Sequence, residues 1–142
     1  MSVSTIVVAC LLALGAVQEG GCPSGRESVD SVTGESVCNP VPYTGESITR
    51  GKKHYLRHCQ SCHGFDGRAL ENIDFEASDL TAPREWRFGT SDADLFRTTK
   101  DGAGDDMPPF GMRLRDPQIW ELVNYLRSIG PQELQPEQAG GP

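Results

Sequence analysis

Hydrophobic positions gather into four stretches of this chain, and three of them repeat with helical spacing. The last is the clearest. Ile119, Leu122, Val123 and Leu126 recur three and four residues apart, with Trp120 and Tyr125 flanking them, so "QIWELVNYLRSIG" predicts an amphipathic helix. Asp116 is the expected N-cap, Pro117 suits the first helical position, and Gly130 with Pro131 ends the element. A shorter helix is expected from Ser91, a capping residue, through "DADLFRTTK", with Leu95 and Phe96 inward. A third is expected in "SITRGKKHYLRH", where Ile48, Tyr55, Leu56 and Cys59 form a rougher stripe. The fourth stretch, "TIVVACLLALGAV" from Thr5 to Val17, is apolar throughout. It is shorter than the ~20 residues a membrane span needs. Its length fits the core of a secretory signal, with Gly15 and Ala16 as a cleavage zone, although "MSVS" lacks the usual positive charge.

The polar intervals divide the chain. Residues 1–21 read as a signal peptide or membrane-targeting segment. Residues 22–47 and 131–142 are rich in Gly, Ser, Glu, Gln and Pro and offer little apolar surface to offset the entropy of ordering them. They are expected to be a flexible linker and a disordered tail. The foldable unit is residues 48–130, with a long irregular loop between His63 and Ser91. A unit of about 80 residues buries a modest share of its surface. Phe, Leu, Ile and Val are sparse in it, so a large apolar cofactor would supply missing core.

Charge narrows the partners. The net charge is −7, yet residues 48–130 hold 12 Lys and Arg against 13 Asp and Glu. The surplus acid therefore lies in the flanks. Arg50, Lys52, Lys53 and Arg57 read as a solvated helix face, and without a concentrated basic tract nucleic acid is not an expected partner.

The chemistry concentrates in "RHCQSCHGFDG", Arg57 to Gly67. Two thiols three apart, followed directly by an imidazole, suit a covalently held haem, a zinc ion or a redox dithiol. A redox dithiol follows a buried strand, and what precedes Cys59 reads as helix. A closed zinc site usually takes a second ligand pair from elsewhere, and no Cys or His follows His63. His54 and His58 read as solvent-facing. Haem fits best, since C-x-x-C-H is the attachment signal for haem c. On a turn of helix, Cys59 and Cys62 present both thiols to one side and carry His63 beneath the iron. A sixth ligand is offered by "DGAGDDMPPFGM". Pro108 holds Met107 out of helical geometry, and Gly102 and Gly104 permit tight turns, so Met107 is favoured over Met112.

Taken together, "GKKHYLRHCQSCHG", "SDLT", "SDADLFRTTKDG", "MPPF" and "DPQIWELVNYLRSIG" resemble the class I monohaem cytochromes c over roughly Ile48 to Gly130. The resemblance implies an all-α cytochrome c fold, three to five helices wrapped around one covalently bound haem c. It implies thioethers at Cys59 and Cys62, axial ligation by His63 and Met107, and a first-to-last helix crossing at Gly51, Tyr55, Leu122 and Tyr125. It also suggests Trp86 or Arg87 as partners of the haem propionates.

The expected function is electron transfer between redox protein partners by a monomeric, exported, periplasmic carrier. No general base, nucleophile or open coordination site stands out, so an enzyme is not expected. Asp105 and Asp106 would bias docking toward a basic partner. A haem subunit serving a larger oxidoreductase is the alternative, and a labile Met107 would instead permit gas binding or peroxidase chemistry. Of the five cysteines, Cys22 and Cys38 form a disulfide if the compartment is oxidising. Cys22, or Cys10 in "VVAC", is otherwise a site for lipid attachment to a membrane.

Overall fold

The computed structural model describes residues 21–69 and 77–139. Its elements run β1 (Glu27–Val29), β2 (Ser36–Cys38), α1 (Gly45–His58), α2 (Gln60–His63), α3 (Asp92–Asp101) and α4 (Asp116–Ile129), with 3-10 turns at Pro83–Glu85 and Gln132–Leu134. The apolar run Thr5–Val17, the signal expected there and Cys10 lie outside the described residues.

Each main helix starts where a side chain satisfies free backbone N–H groups. Thr44 and Ser47 bond reciprocally, each backbone N–H to the other's hydroxyl at 3.1 Å, and α1 therefore begins three residues ahead of Ile48. Ser91 caps α3 as expected, in the same reciprocal way with Asp94, both bonds at 3.0 Å. The start of α4 differs by one residue from the expectation. Arg115 is the cap and gives its N–H to Gln118 Oε1 at 3.0 Å, which moves Asp116 and Pro117 into the first two helical positions. Proline costs nothing there, because its missing N–H would have had no partner.

The core is the crossing of α1 and α4. A Cβ at Gly51 would lie 2.0 Å from the Glu121 carbonyl oxygen, so only glycine lets the two backbones touch. Tyr55 packs against Tyr125 with ring centroids 5.1 Å apart and donates its hydroxyl to the Gly64 carbonyl at 2.6 Å. Tyr55, Ile119, Leu122 and Val123 are at most 1% exposed. Burying such a side chain is worth roughly 1.5–3 kcal/mol. α3 joins through Phe96, stacked on Trp120 at 4.2 Å.

Three expectations are corrected by the segments that flank this crossing. The fold is helical with a small antiparallel sheet, not all-α: β1 and β2 pair Glu27 with Cys38, Ser28 with Val37 and Val29 with Ser36. The stretch expected as a flexible linker carries this hairpin, closed by a Cys22–Cys38 disulfide. It buries some apolar surface, at Tyr43 and at Val37 and Val41 against the core. Polar side chains add to this, with Asn39 and Asn124 both wholly buried and joined Nδ2 to Oδ1 at 3.1 Å. Asn124 also donates to the Pro42 carbonyl at 3.1 Å and to Ser47 Oγ at 3.0 Å, which ties the approach to α1 onto α4. The expected disordered tail is likewise strapped down as far as Ala139. Gln135 donates to the carbonyls of Ser128 and Gly130 at the end of α4, and Ala139 N–H reaches the Tyr43 carbonyl at 2.9 Å.

Candidate functional site

α1 stops at His58, and the chain immediately turns once more as α2. The Cys59 carbonyl accepts from the N–H groups of both Cys62, at 3.1 Å, and His63, at 2.9 Å. Gly64, at φ +74°, ends the turn in a conformation most side chains resist. The spacing read from the sequence thus becomes a single turn that offers two thiols and an imidazole together. Both cysteines are free, whereas Cys22 and Cys38 are bonded.

The thiols, the imidazole and Met107 line one cavity of about 250 Å³, with His58 and Phe110. A smaller adjoining void of about 80 Å³ shares Cys59, His63 and Met107 and reaches the apolar core at Leu95, Leu122 and Leu126. The core faces of α3 and α4 are therefore incomplete at this place. A concave apolar space with a few converging polar groups is the usual form of a cofactor site.

His63 is oriented for ligation. Its Nδ1 lies 3.1 Å from the Ser78 carbonyl. A carbonyl can only accept, so Nδ1 carries the proton and Nε2 keeps its lone pair. Burial lowers the pKa of His63, against the opposing effect of the Ser78 contact, and this lowering favours the neutral ring. A neutral imidazole is the form that binds a metal. Cys59 is pushed the other way. Burial, and then the neighbouring Cys62, raise its thiol to about 12. Redox-active cysteines have depressed values instead. Among the described residues no three His, Cys, Asp or Glu side chains converge to share a metal ion.

Met107 sits on a backbone fixed from both sides. Ala103 and Met107 exchange hydrogen bonds at 3.1 and 3.3 Å around a turn through Gly104, Asp105 and Asp106. Beyond the two prolines, Phe110 and Gly111 donate to the carbonyls of Thr99 and Lys100 at 3.1 and 2.9 Å, lacing the loop to the end of α3. A Cβ at Gly102, which has φ +87°, would lie 2.6 Å from the Met107 carbonyl oxygen. The competitor Met112 is fully exposed. The structure therefore brings Cys59, Cys62, His63 and Met107 together and leaves Met112 outside. Two free thiols, an imidazole with one free nitrogen and a thioether around an apolar space fit a covalently held haem.

Three other expectations change. Trp86 donates its indole N–H to the Asp79 carbonyl at 2.7 Å, so that donor braces its own loop; Arg87 does line the cavity. His54 is not solvent-facing, because its Nε2 lies 3.3 Å from Glu121 Oε2 across the helix crossing. His58 also turns inward, lining the cavity with its ring edge-on to Phe110 at 6.2 Å. Helical periodicity alone cannot find these two, since each lies beside the apolar stripe rather than in it.

Comparison with known proteins adds a family. The family model for cytochrome c oxidase, cbb3-type, subunit III matches residues 46–126. The cbb3-type cytochrome c oxidase subunit FixP of Bradyrhizobium diazoefficiens is 30% identical over 86 residues, which cover 61% of this chain and 29% of FixP. Subunit CcoP of Rhodobacter capsulatus is 32% identical over 89 residues, covering 58% of this chain and 29% of CcoP. The chain thus spans about three tenths of the length of the curated relatives it matches. Among solved structures, a chain of the Kuenenia stuttgartiensis reducing HAO-like protein complex superposes with a TM-score of 0.56 at 28% identity, over 68% of this chain and 50% of that one. Cytochrome cL from Hyphomicrobium denitrificans shares the fold, with a TM-score of 0.50 at 22% identity over 71% of each chain.

Proposed function

This chain belongs to the c-type cytochromes of the cytochrome c oxidase, cbb3-type, subunit III family, and from that membership we propose that it is an electron carrier holding one haem c on Cys59 and Cys62, with His63 and Met107 as axial ligands. The observation that carries the reading is the convergence of two free thiols, a half-engaged imidazole and a thioether on one apolar cavity. Haem c, when bound, supplies a one-electron ferrous–ferric couple, and a methionine ligand raises its potential relative to two histidines. The chain does the rest. Cys59 and Cys62 would hold the group covalently. The Ser78 carbonyl fixes the ring orientation of His63 and makes Nε2 more basic. The pair of backbone hydrogen bonds between Ala103 and Met107 keeps the thioether in place, and Leu95, Leu122 and Leu126 exclude water from the inner wall.

With His63 and Met107 both holding the iron, the chain would transfer electrons and would not act as an enzyme. Asp105 and Asp106 stand exposed at the cavity's rim and favour docking to a basic partner. The Cys22–Cys38 disulfide supports export to an oxidising compartment, the periplasm. No helix among the described residues is long and apolar enough to cross a membrane. A second reading has a specific support of its own. FixP and CcoP are by name oxidase subunits, and this chain matches only a part of each. That favours service as the haem c subunit or domain of a larger oxidoreductase.

The test is expression in a host that attaches haem c, followed by denaturing electrophoresis and intact mass. The account expects the mass of one haem retained after denaturation, and none in the Cys59→Ala/Cys62→Ala variant. Haem that leaves on denaturation, or survives that substitution, contradicts it.

A further inference from the structure

The disulfide-closed hairpin lies outside the residues that match the family, 46–126, yet its polar side chains turn onto α3 instead of water. Ser28 Oγ accepts from the Ala93 N–H at 2.9 Å, at the first turn of α3. Ser31 donates to Asp94 Oδ1 through its backbone at 2.8 Å and its hydroxyl at 2.7 Å. Arg26 reaches Asp92 and Asn124. Asp30, its side chain only 5% exposed, accepts from Arg97 Nε at 2.6 Å.

Arg97 does not end the chain of contacts. Its Nη2 donates at 3.0 Å to the Phe88 carbonyl and lies 3.3 Å from Asp94 Oδ1. Phe88 lines both the cavity and the inner void. Its ring lies over Gly104, where a Cβ would come within 3.2 Å of Phe88 Cζ. Gly104 belongs to the turn that leads into Met107. At the next residue, Gly89 presses so closely on the Asp94 carboxylate that a Cβ would lie 2.2 Å from it. The hairpin, Arg97, Phe88 and the Met107 turn thus form one continuous line of contacts.

We propose that Arg97, held by Asp30 of the hairpin, is a positioning residue for Met107: it clamps Phe88 over the Gly104 turn and so keeps the thioether from leaving the distal position. This rests on the His63/Met107 reading above. Arg suits the task because its planar fork serves a carboxylate and a carbonyl at once, which a lysine ammonium on one flexible stem does less well.

The test uses the haem-loaded ferric protein, titrated with imidazole as a competitor for the distal position, and follows loss of the weak sulfur-to-iron absorption band. Arg97→Gln and Asp30→Asn should each bind imidazole about tenfold more tightly than the parent, the scale of one lost charge-assisted hydrogen bond. Arg97→Lys should fall between. Thr44→Ala, which weakens the cap of α1 without touching this line, should bind like the parent. Parental affinity in both Arg97→Gln and Asp30→Asn would overturn the proposal. So would an equal change in Thr44→Ala, which would make the effect one of general stability. Absence of the sulfur band in the parent is a different result. It sinks the axial assignment itself, and this proposal with it.

Discussion

The helix crossing and the N-terminal hairpin are ordered by opposite means. At the crossing, Tyr55, Ile119, Leu122 and Val123 vanish from solvent around a glycine contact. In the hairpin, Val29 and Val32 are 55% and 73% exposed, while Asp30 and Asn39 are buried. One region is held by apolar burial. The other, apart from Val37 against the core, is held by a disulfide and by hydrogen bonds whose partners lie 63 to 98 residues away. Apolar burial leaves a periodic trace in the sequence, and a network of distant polar partners leaves none.

The contrast can be broken by perturbing each region in turn. The largest effect is expected at the crossing. Ile119→Ala removes a fully buried side chain and should cost about 3 kcal/mol of unfolding free energy by urea titration. A loss under about 1 kcal/mol would mean that the crossing is not the main source of stability. The Cys22→Ser/Cys38→Ser variant comes next. The bond closes a short loop and should cost about 2–3 kcal/mol. Helical circular dichroism should persist, since α1 and α4 do not depend on the hairpin's closure; collapse of the helices would erase the distinction drawn between the two regions.

Acid should reveal the smallest difference. Burial pushes Asp94 up, yet the hydroxyl and backbone bonds from Ser31 and Ser91 outweigh it and hold its carboxyl well below the ordinary range. Asp30 is also lowered, with the N–H groups of Thr33 and Val32 and then Arg97 overcoming burial. A depressed folded value stabilises the fold above the ordinary Asp value and is lost as pH falls below it. Thermal stability should therefore decline once pH drops below about 4. Hydrogen exchange should open the hairpin and the first turn of α3 before the helix crossing. Simultaneous opening of both would contradict the comparison.

Much of the cofactor site was legible because it is local or punctuated. Cys59, Cys62 and His63 fall on one turn by their spacing, and the prolines after Met107 separate it from Met112. The three main helices were legible from their apolar stripes, with α4 displaced by one residue because Arg115 caps through its backbone and a glutamine. The hairpin was missed because Asn39, Ser31 and Arg26 look like surface residues until Asn124, Asp94 and Asp92 are brought beside them by folding. His54 and His58 were misread for a related reason, since Glu121 and Phe110 are supplied by distant parts of the chain. Ser78, whose carbonyl selects the tautomer of His63, acts through its backbone, so its side-chain identity carries no signal.

The most direct test of the central claim is the visible absorption spectrum of the haem-loaded protein, oxidised and reduced, beside that of Met107→Ala. The account predicts sharp bands on reduction and a weak sulfur-to-iron band on oxidation in the parent, with the sulfur band lost in the variant. A parent without that band, or a variant that keeps it, would contradict ligation by Met107.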